Sequence, residues 1–398
     1  PRDWSSDVCS SDLGFMARID AFLKLGSAQG CSDVHLAVGV PPMLRMHGDL
    51  VPIRFRELGA AELEGYIDEI LTKKLSEQLR TGHDLDFAHV AEDGGRFRVN
   101  VFRKETGIGA VFRSIPSTVP SLDTLDLPPI ISKLLDHHQG MILVTGSTGQ
   151  GKSTTLAAMI DALNRTRKLN IISLEDPIEF VHTSKESQII QREYGTHVPS
   201  FAEGIRAAMR EDPDVILVGE MRDFETIETA LLAAETGHLV FSTLHTLDAT
   251  ETINRIIAVF PPHQQKQVRL QLAAVLRAII SQRLMPRADG EGRVPAVEVM
   301  VSTPFIRDCI VDKEKTHLIH GAIASGTSQY GMQTFDQSIF GLYTGGLVSY
   351  EEALRWASNV DEFKLKVQGI STTAEISRDE MARGVIGTAA PEITRFGS

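Results

Sequence analysis

The residues best equipped for chemistry lie in Met141–Thr154, MILVTGSTGQGKST, a short apolar run that ends in glycines, a lysine and two hydroxyls. Gly146, Gly151, Lys152 and Ser153 fill every fixed position of a phosphate-binding loop, with Ser147, Thr148, Gly149 and Gln150 between them and Thr154 following. Glycines at 146, 149 and 151 let the backbone turn successive N–H groups inward on a polyphosphate, where a Cβ would crowd the oxygens. Lys152 then reaches the β- and γ-phosphates, and the Ser153 hydroxyl faces a Mg²⁺ ion. The helix expected from about Thr154 to Asn164 points its positive end at the anion.

Splitting a triphosphate with water also needs the metal held and the water aligned. Glu220 follows the apolar run Val215–Val218 in the manner of a Walker B acid, so it is expected to serve the metal, directly or through a water. Glu179, in Glu175-Asp176-Pro177-Ile178-Glu179, is the candidate for positioning and deprotonating the water. His245, just after the run Leu239–Thr243, reads either as a γ-phosphate sensor or as a satisfied core histidine, and His238 shares that ambiguity.

These residues need an α/β scaffold. Met141–Val144, Asn170–Leu174, Val215–Val218 and Leu239–Thr243 read as buried parallel strands alternating with helices, which specifies a three-layer domain with its ligand at the strands' carboxyl ends. Ahead of it, residues 16–114 read as a smaller α+β domain, with a helix from about Arg18 to Gln29, alternation at Val34, Leu36 and Val38, and a second helix through Leu63, Tyr66, Ile67, Ile70 and Leu71. Phe97, Val99 and Val101 alternate with Arg96, Arg98 and Asn100, giving a hairpin with one apolar and one basic face. Arg96, Arg98, Arg103 and Arg113 are either a solvated face or arginine fingers reaching a neighbouring subunit's nucleotide. Residues 115–129, with several prolines, read as a linker, 130–300 as the ATPase core, 301–369 as a helical region and 370–398 as a mobile tail. Residues 1–15 show no periodicity and resemble a translated sequencing adapter, which makes Met16 the expected start.

The chain of 398 residues carries a net charge of −12, which argues against a general nucleic-acid binder. No apolar run approaches the roughly 20 residues needed to span a bilayer, so a cytoplasmic location is expected. Cys9, Cys31 and Cys309 form no C-x-x-C pair and read as ordinary thiols.

Four stretches together resemble the secretion ATPase superfamily of type II secretion and type IV pili. They are the phosphate loop GSTGQGKSTTLAAM, an Asp box ISLEDPIEFVH (Ile172 to His182), a Walker B stretch REDPDVILVGEMRD (Arg210 to Asp223) and a His box AETGHLVFSTLHT (Ala234 to Thr246). The resemblance is closest to the retraction branch, the PilT/PilU twitching-motility motors. Phe305–Ile310 keeps Ile306, Arg307 and Ile310 of that branch's AIRNLI helix, and Gly331–Ala357 is also similar to it.

The resemblance implies a RecA-like ATPase core with a smaller PAS-like α+β domain before it and a helical segment after it. It implies ATP and Mg²⁺ as ligands, Glu179 as the catalytic carboxylate, Glu220 as the Walker B glutamate, His245 and His238 as His-box residues, and Arg96, Arg98 and Arg113 as the amino-terminal arginines. It further implies a homohexameric motor at the cytoplasmic base of the pilus, docked on an inner-membrane platform protein, with no nucleic-acid partner; whether it works alone or with a paralogous retraction ATPase is left open. The alternatives left open are a pilus-extension or type II secretion ATPase of the same superfamily and a nucleic-acid translocase.

Overall fold

The computed structural model describes residues 17–46, 49–115 and 118–369. The expected leader at residues 1–15, His47 and Gly48, and the tail at 370–398 lie outside the described residues. The chain divides into two compact units, one running to Thr118 and including Pro177–Val181, the other comprising Val119–Asp176 and the chain from His182 onward.

The first unit is built on one antiparallel sheet. Its strands are β1 (Asp33–Ala37), β2 (Met43–Met46), β3 (Asp49–Pro52), β4 (Leu85–Val90), β5 (Arg96–Lys104) and β6 (Gly107–Ile115), in the order β3-β2-β1-β6-β5-β4. Period-2 alternation sends Phe97, Val99, Val101, Ile108, Ala110 and Phe112 into one core, which Ile19 and Leu23 of the helix Arg18–Ala28 and Leu63 and Ile67 of the helix Ala60–Asp68 complete. The first helix lies close on the sheet, since a Cβ on Gly26 would come within 2.7 Å of Cys31 Sγ and of Val34. The hairpin of β4 and β5 forms as its alternation predicts, and β6 extends it.

The second unit holds a mixed, mostly parallel sheet. Its strands are β7 (Gly140–Thr145), β8 (Asn170–Glu175), β9 (Gln188–Glu193), β10 (Val215–Val218), β11 (Leu239–Leu244), β12 (Leu276–Pro286) and β13 (Arg293–Val301), in the order β13-β12-β7-β11-β10-β8-β9, with only β13 antiparallel to its neighbour. Strand β7 is buried throughout. Its Met141 and Leu143 join one hydrophobic cluster and Ile142 and Val144 another, so the sheet is packed on both faces, giving the three-layer α/β arrangement. The helix Lys152–Thr166 packs in the second cluster through Leu156, Met159, Ile160 and Leu163, on the spacing read from sequence. Strands β9, β12 and β13 were not expected. The helix Gln265–Val275 passes directly into β12 at Leu276 with no glycine or proline to mark the change.

The helix Pro304–Val311 carries the Phe305–Ile310 stretch. It buries Ile306, Cys309 and Ile310 and leaves Phe305, Asp308 and Val311 exposed, so both retained apolar positions, Ile306 and Ile310, are core residues. Leu342, Leu347 and Ala353 pack among the small helices nearer the carboxyl end. Cys31 and Cys309 are buried free thiols, and no helix among the described residues is long and apolar enough to cross a membrane.

Glu298 on β13 is a buried carboxylate, only 3% exposed, and its Oε1 accepts the Ala249 N–H at 2.9 Å in the first turn of the helix Ala249–Ala258. Burial pushes its pKa up to about 7. The folded chain therefore holds a proton that the unfolded chain releases near the ordinary carboxylate value, so this group's contribution to stability falls as pH rises from about 4.5 to 7. Glu298→Gln keeps an acceptor for Ala249 without the buried charge. Thermal unfolding is expected to show it more stable than the parent at pH 8 by up to about 3 kcal/mol, with the difference shrinking toward zero near pH 4.5. An equal loss of stability at both pH values would refute this account.

Candidate active site

Three glycines bend the loop after β7. Gly146, Gly149 and Gly151 have φ of 142°, 79° and 83°, a region that side chains with a Cβ avoid. Gly146 also lacks room, because a Cβ there would lie 2.6 Å from the Gln282 carbonyl oxygen. Two hydrogen bonds tie the loop to β12: Thr145 Oγ1 donates to Ser281 Oγ at 2.9 Å, and Gln150 Oε1 accepts the Leu284 N–H at 2.5 Å. Lys152, at the first position of its helix, is buried, and its Nζ curls back to donate to the carbonyls of Gly146 at 2.7 Å and Ser147 at 3.0 Å. The backbone thus holds the ammonium against the loop. Ser147, Thr148 and Gly149 are exposed, and Ser153 and Thr154 are partly exposed in the helix's first turn.

The parallel pairing of β7, β11 and β10 brings the residues immediately after each strand to the same edge. Gly219, after β10, is pinned by its N–H to the Leu174 carbonyl at 2.7 Å and by its carbonyl to Thr243 Oγ1 at 2.7 Å. A Cβ on it would come 3.2 Å from Leu174 O. Glu220 projects next and is held twice, by Arg222 Nε at 2.7 Å on Oε1 and by His245 Nε2 at 3.3 Å on Oε2. The carboxylate is largely shielded, at 16% exposure, while Arg222 and His245 remain open to solvent. His245 therefore stands beside Glu220. His238 lies at the other end of β11, about 20 Å away at the usual rise per residue. There its Nδ1 meets the Ala233 carbonyl at 2.9 Å.

At the end of β8, Glu175 Oε1 accepts from Ser173 Oγ at 2.6 Å and from Gln191 Nε2 at 3.0 Å. Glu179 is exposed on Pro177–Val181, the segment that belongs to the first unit.

The arginines sit on the outward face of the first unit's sheet, with Arg98 directly opposite Arg113. Like charges opposite one another destabilise a sheet. Each is offset within the chain: Asp86 accepts from Arg98 Nε at 3.2 Å and Nη2 at 2.7 Å, and Asp33 accepts from Arg113 Nε at 2.9 Å. Arg96 lies on the same face of β5, whereas Arg103 donates from Nε to the Leu79 carbonyl at 3.0 Å. Sequence reasoning singled out neither aspartate, nor Arg222. Asp86 was legible in retrospect, because it alternates with Leu85 and Phe87 just as Arg98 alternates with Phe97 and Val99.

Residues 87–339 match the type II/IV secretion system protein family. This chain belongs to that family, in its PilT/PilU branch. It is 45% identical to the type IV pilus retraction ATPase PilT of Pseudomonas aeruginosa over 87% of its length and 99% of that protein's. It is 47% identical to a twitching motility protein of Neisseria gonorrhoeae, covering 89% of this chain and 93% of the relative. The crystal structure of the pilus retraction motor PilT with bound ADP superposes with a TM-score of 0.81 at 42% identity, covering 86% of this chain and 98% of the other.

If the loop and Lys152 grip a polyphosphate as this geometry allows, Lys152→Ala removes a charge-assisted contact. It should weaken binding of radiolabelled ATP by about ten- to a hundredfold, as measured by equilibrium dialysis. Unaltered affinity would place the nucleotide elsewhere.

Proposed function

We propose that this protein is a hexameric motor that hydrolyses ATP to retract type IV pili, with a RecA-like core in its second unit and a smaller PAS-like domain in its first. The observation that carries the reading is the shared strand edge, where Lys152 is folded against the glycine loop and Glu220 is held by Arg222 and His245. The similarity to retraction ATPases over nearly their whole length supplies the direction of filament movement.

In this reading the N–H groups of Ser147–Thr154 and the Lys152 ammonium neutralise the β- and γ-phosphates. Ser153 and Glu220 hold Mg²⁺; both offer oxygen, the donor a hard cation selects. Held there, Mg²⁺ would supply positive charge to offset that of the phosphates. Glu179 orients the attacking water and takes its proton, while His245, through Glu220, registers whether the γ-phosphate is present. Arg96, Arg98 and Arg113 act on the site of a neighbouring copy, so turnover depends on the ring and each hydrolysis drives one domain against the next. The partners are five further copies and an inner-membrane pilus platform protein, met from the cytoplasmic side, with a paralogous retraction ATPase as a further candidate.

Glu220→Gln and Glu179→Gln should each lower phosphate release by at least about a hundredfold while ATP binding is retained. Wild-type turnover in both would end the assignment. An inactive Arg98→Ala/Arg113→Ala protein mixed with inactive Glu220→Gln protein should recover part of the activity, because some seams then join an intact arginine set to an intact Glu220. Mixtures as inactive as their components would place the arginines in cis or outside the reaction. In cells, deletion of the gene should leave surplus, non-retracting pili under the microscope, whereas bald cells would indicate an extension motor.

A further inference from the structure

The loop that carries Glu179 leaves the second unit after Asp176 and re-enters it at His182. One side chain spans that root. Gln191, on β9 opposite Ser173 of β8, donates from Nε2 to the Glu175 carboxylate at 3.0 Å and accepts the His182 N–H on Oε1 at 2.8 Å. The two limbs demand opposite functions of the amide. A backbone N–H can only donate and an ionised carboxylate can only accept, so the carboxamide fits in one orientation.

The returning limb is clamped a second time, by the helix after the phosphate loop. Asn164, fully buried in its last turn, donates from Nδ2 to the Thr183 carbonyl at 2.9 Å and accepts the Lys185 N–H on Oδ1 at 2.9 Å. The Asn164 carbonyl accepts the Glu186 N–H at 3.0 Å. One turn earlier, the buried Asp161 takes Lys185 Nζ at 2.5 Å and Arg165 Nε at 2.6 Å. Both limbs of this short excursion are therefore fixed, one to the end of β8 and the other to the phosphate-loop helix.

We infer that Gln191 is a positioning residue for Glu179, closing the root of its loop so that the carboxylate is presented in one place. The inference rests on the reading of Glu179 as the group that aligns water. A misplacement of about 1 Å in such a group costs roughly a hundredfold in rate. The global fold depends on Gln191 far less, because β9 is the edge strand and a single net hydrogen bond contributes only about 1 kcal/mol.

The test uses the full-length protein and an exchange of chemistry across the root. Gln191→Glu sets two carboxylates against each other. It should lower kcat at least about tenfold, leave the KM for ATP unmoved, and speed amide hydrogen exchange in residues 182–187. The double variant Glu175→Gln/Gln191→Glu restores the bond between positions 175 and 191 with donor and acceptor exchanged, while an oxygen at 191 still accepts the His182 N–H, so kcat should return to within about threefold and exchange should slow again. Gln191→Ala removes both bonds without adding charge and should mimic the first variant. Wild-type kcat in both single variants, or a double variant no faster than Gln191→Glu, overturns the inference. Glu179→Gln, assayed alongside, separates the two ideas: if it is inactive while the Gln191 variants are normal, only the positioning role fails, and if it turns over normally, both fail.

Discussion

Parallel pairing of β8, β10, β11 and β7 leaves little choice about where the chemistry sits. Each of these strands is buried, so its backbone groups must pair with their neighbours, and pairing in parallel register puts every carboxyl end on the same edge. The glycine loop, Gly219-Glu220 and His245 arrive at that edge because they are the next residues in the chain. Side-chain hydroxyls reinforce the register near the edge, Thr145 to Ser281 and Thr243 to the Gly219 carbonyl. A slip of one residue would turn Ile142 and Val144 out of one hydrophobic cluster and into the other, so the packing on both faces protects the position of the site.

Charge is managed differently in the two units. The second shields three acids in particular and gives each a partner: Glu220 between Arg222 and His245, Asp161 between Lys185 and Arg165, and Glu298 on a backbone N–H. The first sets Arg98 across from Arg113 on one sheet face and tethers each to its own aspartate, leaving the Arg113 side chain 69% exposed. A tethered, exposed guanidinium loses less freedom on meeting an anion than an unrestrained one, which is the property the proposed action on a neighbouring site requires.

Glu179 and Glu220, the acids proposed for the water and for the metal, are built to different standards of rigidity. Glu220 comes just after a core strand and inherits that strand's position. Glu179 lies on an excursion away from the sheet, and the bonds of Gln191 and Asn164 at the base of that excursion supply the order its own strand cannot. Linking the loop to the phosphate-loop helix also gives a mechanical route by which a change at the nucleotide could reach it.

The sequence alone determined the pieces whose chemistry is local. The glycine loop with Lys152 and Ser153 is legible because its residues are consecutive, and β7, β8, β10 and β11 because they are short apolar runs that alternate with helices. The hairpin of β4 and β5 comes from strict alternation, and the helix after the loop from its four apolar positions. Tertiary structure decided whatever depends on partners distant in the chain. Glu220 and His245 are 25 residues apart, and only the adjacency of β10 and β11 makes them neighbours. The same strand separates His238 from His245, although both belong to one motif. The tether of Arg113 to Asp33, the bridge by Gln191 and the bond of Glu298 to Ala249 all join residues that no periodicity pairs. Strand β12 was hidden because it continues a helix without a break, and it became a strand only because β7 and β13 offered it backbone partners on either side. Local pattern states which face a side chain prefers; the identity of the group that meets it there is set by how the strands are laid side by side.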